Sequence, residues 1–474
     1  MKLQKNQNLA FQLYLVGMPI IFLLSLFFYV FFDDNIYALM TGFLFIFTIT
    51  VVYAIRYFGI MSLYSIFLYT STFFLYNCFW FSLFDKSKDF LMQTFPIRHF
   101  IDISVGVKFI FCCILLTYVM HITYCLINKK RLKDLQIVKH QLNYEKVGIG
   151  IMLIFLLPSI VKLYIQLIYV QKYGYLTVFT GDLSLIKYPI WTAGANLLFI
   201  TGYSLFVASN PSKNKFIIYS VLVFFIMIFS GMKGQRGIVL GPLVGLLYWY
   251  FKKYSKKIRI RTLISLFVFI ISFTYLLGTI RNLYGHNSDV SSSDVRVLDL
   301  VSDVLYSQTT SRCVPMKIIE GDLPYHNYPF IFSPFFSYLN YFLYPSKGQT
   351  VVSVEKYNDI SQVVMYSISP SAHFAGKGYG GAFIAEAYDC GGFFGIIFWG
   401  IILAIFIAFC DFTNLNIRNK YIPFLFLVIL NFAMLPRNRL FTIFDAHFVK
   451  LFVLCMLIPL INTKQIWRYE INGK

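Results

Sequence analysis

The sequence predicts an all-α polytopic membrane protein, with about twelve membrane-crossing helices and one large loop on the outer side. Three observations carry this. Of the 474 residues, 58% are hydrophobic and only 13% charged, about half the charged share of an ordinary soluble domain. The mean hydropathy is +0.67. Apolar runs of about 20 residues, enough to cross a ~30 Å hydrocarbon core, recur from end to end.

The expected spans are 9–32, 36–55, 59–81, 103–127, 147–170, 191–209, 215–232, 238–251, 262–280, 379–409, 421–435 and 441–462. The first is too long for a cleaved signal and lacks a small-residue cleavage site, so it reads as a retained helix. More than half of the 41 Lys and Arg residues fall in short clusters near helix ends, KKRLKDLQIVKHQLNYEK and FKKYSKKIRIR among them. Basic clusters of this kind mark cytoplasmic loops. They place both termini in the cytoplasm, and Asp33 and Asp34 in the first outer turn agree. The net charge of +20 therefore reports membrane orientation and not nucleic-acid binding. The chain divides into an N-terminal bundle of about nine helices (1–280), an outer cap loop (281–378), and a C-terminal part of about three helices and a tail (379–474).

The cap loop has a structured composition. Val297, Val301, Val304 and Leu305 form one helical stripe, which predicts a short amphipathic helix. The segment YHNYPFIFSPFFSYLNYFLYP is dense in Tyr and Phe, interrupted by Pro329 and Pro334, and closed by Pro345. It suits the membrane interface, where amphipathic rings settle. The eight cysteines show no CxxC pair and no metal-ligand spacing; Cys313 and Cys390 are the one pair that could bond on the outer side. No P-loop, HExxH helix or Ser-His-Asp order is present, which argues against the common ATPase, protease and hydrolase chemistries.

Several cations sit against the orientation bias. Lys233 and Arg236 lie in SGMKGQRGIV, a turn between two apolar runs, and the neighbouring twenty residues hold no Asp or Glu. Arg281 closes the ninth span, Arg437 and Arg439 form the turn LPRNRL, and Arg312 and Lys377 sit in the cap loop. Arg near the bilayer core costs about 2.5–3.5 kcal/mol on insertion scales, so it needs a partner. Lipid headgroups are one partner; an anionic ligand is another. Arg bonds phosphate oxygens in pairs and stays charged, and Gly231, Gly234 and Gly237 would allow close backbone approach. Without an acidic cluster to hold magnesium, the pattern points to a diphosphate neutralised by Arg236, Lys233, Arg281, Arg312, Arg437 and Arg439.

Three features together resemble the bacterial O-antigen polymerases, the Wzy family: the turn GMKGQRG, the run SAHFAGKGYGGAFIAEAYDCGGFFGIIFWGI, and the late PRNR turn. The resemblance implies a GT-C-like bundle in the inner membrane, acting at the periplasmic face in lipopolysaccharide biosynthesis. Such enzymes transfer a growing glycan from undecaprenyl diphosphate onto the next lipid-linked repeat unit. It implies partnership with a chain-length regulator and a flippase, and no cofactor, metal or nucleotide sugar. A flippase and an O-antigen ligase-type glycosyltransferase remain alternatives. The catalytic candidates are Glu386, which lies in an otherwise uncharged stretch, His373, expected to be exposed, and Arg236. Tyr388 and Asp389 are the candidates for sugar contact, and Asp445 is expected to balance Arg437 or Arg439.

Overall fold

The computed structural model describes residues 2–32, 35–93, 95–96, 98–129, 142–234, 237–254, scattered positions between 261 and 276, 305–346, 348–413, 415, 421–442 and 450–458. Among these the protein is almost wholly helical, with a single two-residue hairpin pairing Met92 with Phe100 and Gln93 with His99. Among the described residues, eight helices are long and apolar enough to span a membrane: Asn6–Phe31, Ile36–Tyr57, Leu63–Phe84, Ile103–Asn128, Asn143–Tyr173, Ile190–Ala208, Lys213–Gly231 and Gly392–Phe412. The protein is a multi-pass membrane protein. A further apolar helix, Ile422–Phe432, is shorter. Most of the expected ninth and twelfth spans, and the stripe at 297–304, lie outside the described residues.

The expected span 379–409 is corrected. The chain there forms a short helix, Phe383–Asp389, followed by a separate spanning helix, Gly392–Phe412. Gly392 takes a left-handed φ of 58°, which a side chain would resist. A β-carbon at Gly395 would lie 2.0 Å from the carbonyl oxygen of Ala387, so the two helices fold back closely on each other. Hydropathy cannot register such a break, because the residues on both sides are equally apolar.

The chain forms two compact units. The first holds Met1–Leu132, Ser292–Thr413 and Leu435–Thr442. Its spanning helices pack through small residues: a β-carbon on Gly42 would strike the Ser25 side chain, and one on Gly400 would press on Leu116. In a membrane, where lipid competes for apolar contact, close approach of this kind drives helix association. The carboxylate of Asp411, at the end of Gly392–Phe412, accepts the amides of Leu63 at 2.9 Å and Tyr64 at 3.2 Å, and the Tyr124 hydroxyl at 2.9 Å. It caps the start of Leu63–Phe84, where free N–H groups carry a partial positive charge.

Between 333 and 374 the first unit carries a series of short helices. Thr350 begins Val351–Tyr357 with a capping box to Ser353. Asp359 caps Ile360–Ile368 by accepting the Ser361 amide, and Ser369 caps Pro370–Phe374, with proline in its first turn. Ser333–Leu343 exposes Phe335, Phe336, Leu339, Tyr341 and Phe342.

The second unit holds Lys133–Ser291, Asn414–Met434 and Ile443–Lys474. Its helices Leu142–Tyr173 and Ala195–Ala208 meet backbone to backbone, and a β-carbon on Gly148 would lie 2.5 Å from the Phe206 amide nitrogen. Gly237, Gly241 and Gly245, one turn apart, bring Gly237–Tyr254 against Met434 and the backbone of Ile429 and Leu430. Gly237, read from sequence as part of an anion-binding turn, serves this helix contact.

Candidate functional site

In the first unit, the Gly-rich run, the helix Phe383–Asp389 and the PRNR turn form one constellation. Gly380, at φ 82°, and Gly381 pack on the turn: β-carbons there would lie 3.4 Å from the Arg437 carbonyl oxygen and 3.1 Å from the Arg439 amide nitrogen. The glycines are required because backbone meets backbone. Glu386 is fully buried. Its Oε2 accepts the Leu440 amide at 2.7 Å, which fixes the carboxylate to the turn. Its Oε1 has no hydrogen-bond partner among the described residues. Burial pushes the Glu386 carboxyl up to about 8, against the lowering influence of Arg439 and the Leu440 amide; Asp359 and Asp389 raise it further.

The two arginines are held by neutral and acidic side chains. Arg437 donates to Gln308 Oε1 at 3.1 Å and lies over the Phe74 ring at 5.7 Å. Arg439 donates to Ser333 Oγ at 3.1 Å and pairs with Asp359 at 3.2 Å. Burial raises Asp359, but Arg439 and the cap amides hold it below its ordinary range. Among the described residues, the acid paired with Arg439 is Asp359, not the expected Asp445. Asp359 is eighty residues away in sequence. Asp445, the acid expected to balance this turn, lies outside the described residues.

Arg312 is also corrected. It is buried, and its donors meet the carbonyls of Phe90, Met92 and Thr309, the Thr309 hydroxyl and the Tyr306 hydroxyl, all within 3.1 Å. These five bonds occupy all five N–H groups of the fork, leaving none for a phosphate. Arg312 instead ties the chain before the hairpin to the turn Thr309–Arg312, which Gln308 precedes.

His373, expected to be exposed, is buried, because its ring packs at 90° against Tyr366 and beside Phe374. Neither ring nitrogen makes a well-formed hydrogen bond among the described residues. Burial lowers its basicity, while the nearby Thr350 backbone and Asp359 oppose that shift. Asp389 is engaged internally: it accepts the Phe330 amide at 2.8 Å and meets His326 at 3.0 Å, and burial raises its carboxyl. The Tyr388 ring stands edge-on to Phe393. Cys313 and Cys390 are free thiols.

Lys233 belongs to the second unit and is buried. Its Nζ donates to Gln166 Oε1 at 2.7 Å, and burial with Lys162 nearby brings it down to about 8. Arg236 and Arg281 lie outside the described residues. Among the described residues, no group of three or more His, Cys, Asp and Glu could hold a metal ion.

The fold and this constellation define a multi-spanning membrane protein with a buried carboxylate bonded to an arginine-bearing turn. The chain belongs to the O-antigen polysaccharide polymerase Wzy family, whose model matches residues 14–468. This membership makes it a polymerase of the glycosyltransferase type. No curated protein and no solved structure matches the chain.

Glu386, Arg437 and Arg439 were named from sequence and come together here. Asp359, Ser333, Gln308 and Leu440 were missed. The signal for Asp359 was only its place before an apolar helix, which reads as a cap.

Proposed function

We propose that this protein is an O-antigen polymerase of the bacterial inner membrane. It takes a growing glycan from undecaprenyl diphosphate and transfers it to the non-reducing end of a new lipid-linked repeat unit at the periplasmic face. A chain-length regulator and a flippase of the same pathway are its expected partners. The observation that carries the reading is Glu386: a buried carboxylate with one oxygen bonded to the PRNR turn and the other unpartnered.

The reading assigns the following chemistry. The acceptor hydroxyl oxygen forms a bond to the anomeric carbon of the donor sugar. The bond from that carbon to the diphosphate oxygen breaks, and the diphosphate keeps the electron pair. Glu386 Oε1, which is buried in the resting protein and must open to the acceptor, takes the hydroxyl proton, and a carboxyl raised to about 8 suits general-base work close to neutral pH. Arg437 and Arg439 stabilise the charge that develops on the leaving diphosphate. Asp359, Ser333 and Gln308 orient the two guanidinium groups beforehand.

Deleting the gene in a bacterium with a defined O-antigen tests this reading. A polymerase deletion leaves a single repeat unit on the lipid core; a ligase deletion leaves none; a flippase deletion leaves no surface product. Glu386→Gln keeps an oxygen for the Leu440 amide and removes the base, so the chain ladder should collapse while the protein stays folded. Normal long chains in the deletion strain would overturn the polymerase reading. Normal ladders from the Gln variant would remove Glu386 as the base.

A further inference from the structure

The first unit holds a cavity whose lining is separate from the Glu386 constellation. It measures about 270 Å³ and opens between the Met92–Phe100 hairpin and the helix Cys313–Glu320. Its floor is apolar, formed by Ile101, Met316 and Ile368. Its rim carries Arg98, His99, Lys317 and Glu320.

The rim has an excess of positive charge. Lys317 and Glu320 pair at 2.9 Å and largely cancel. Arg98 and His99 are exposed, and no carboxylate among the described residues pairs with either. An open guanidinium fork matches a carboxylate in geometry as well as charge. An apolar floor under a polar rim suits a sugar ring, which offers one C–H face and an edge of hydroxyls. The volume falls just below the ~300–1,000 Å³ of drug-sized sites, which suits one ring of a longer chain.

The cavity is joined to the proposed active site through the chain. Gln93, at its back, donates to the Tyr379 hydroxyl at 2.5 Å and to the Phe95 carbonyl at 3.1 Å. Tyr379 directly precedes Gly380 and Gly381, which pack on the PRNR turn. Gln93 thus links the cavity wall to the stretch of chain that packs on the turn.

We propose that this cavity is a specificity subsite for a single acidic sugar, a hexuronate residue of the glycan, with Arg98 gripping its carboxylate. The proposal deepens the polymerase reading and rests on it for the source of the sugar.

The test uses the purified full-length protein in lipid nanodiscs, with sodium glucuronate, glucose and inorganic phosphate as probes in ligand-observed saturation-transfer NMR. Glucuronate should bind saturably and at least about tenfold more tightly than glucose, the effect expected of one charge-assisted hydrogen bond. Arg98→Gln should weaken glucuronate binding by about the same factor and leave glucose unchanged; Arg98 is exposed, so folding is unaffected. Equal binding of glucose and glucuronate would overturn the acidic-sugar assignment. Phosphate binding as tightly as glucuronate would show a general anion site and overturn the sugar subsite. No saturable glucuronate binding, or binding that Arg98→Gln leaves intact, would overturn it as well. Failure of the polymerase reading would show separately, as long chains surviving gene deletion.

Discussion

Titrating the protein across neutral pH should separate what Glu386 does for stability from what it does for transfer. Burial raises its carboxyl from 4.5 to about 8 in the folded protein. The folded state then binds more protons than the unfolded chain between these values, and stability falls as pH rises through that window. The contribution is fully present below about 4.5, lost as pH approaches 8, and flat above. At about 1.4 kcal/mol per pKa unit, the loss is on the order of 3–5 kcal/mol. Activity should move the opposite way, because the proposed base must be ionised to accept a proton, so transfer should rise toward pH 8. The assay is thermal unfolding of the detergent-solubilised protein from pH 5 to 9, beside Glu386→Gln, with polymer ladders measured over the same range. The parent should lose stability with pH more steeply than the Gln variant, and the difference between them isolates this one group from other titrating residues. Identical slopes, or activity that falls as pH rises toward 8, would refute the reasoning.

Arg312→Lys should destabilise the protein as a whole, because three of its five acceptors are backbone carbonyls and each one orphaned costs about 1–3 kcal/mol. A stable but inactive Lys variant, seen by thermal unfolding and ladder analysis, would instead mark Arg312 as a phosphate contact. Asp359→Asn keeps a helix cap but releases Arg439; ladders should shorten, with a stability loss of about 1 kcal/mol for the part-buried pair. Gly380→Ala should cost about 1–2 kcal/mol for its left-handed backbone and impair transfer, because the added carbon presses on the Arg437 backbone. Gly245→Val, whose β-carbon would lie 2.7 Å from the Ile429 carbonyl and the Leu430 α-carbon, should prevent accumulation of folded protein in membranes, read by fluorescence-detected size exclusion.

The first seven spans were legible because long apolar runs between polar turns leave a chain little choice in lipid. The break at Gly391–Gly392 was not, since the residues on both sides are equally apolar. The motif run pointed to Glu386 and the PRNR turn, but their contact depends on glycines that let two backbones touch. Arg312 looked free in sequence because its partners are mostly carbonyl oxygens, which every residue carries and no pattern spells. His373 looked exposed because a loop of small and polar residues gives no hint of the Tyr366 ring that covers it. The Asp359–Arg439 pair joins positions too distant for any local reading of charge.

The Asp411 clamp has a mechanical consequence. A 21-residue helix is a strut about 30 Å long, and Asp411 pins its far end to two amides and a tyrosine hydroxyl. Its near end begins at Gly391–Gly392, two residues after Asp389. The strut cannot turn about its own axis without breaking three hydrogen bonds at its foot. A shift of the helix Phe383–Asp389 that leaves these three bonds intact would therefore have to be taken up at Gly391–Gly392, between it and the membrane-spanning shaft.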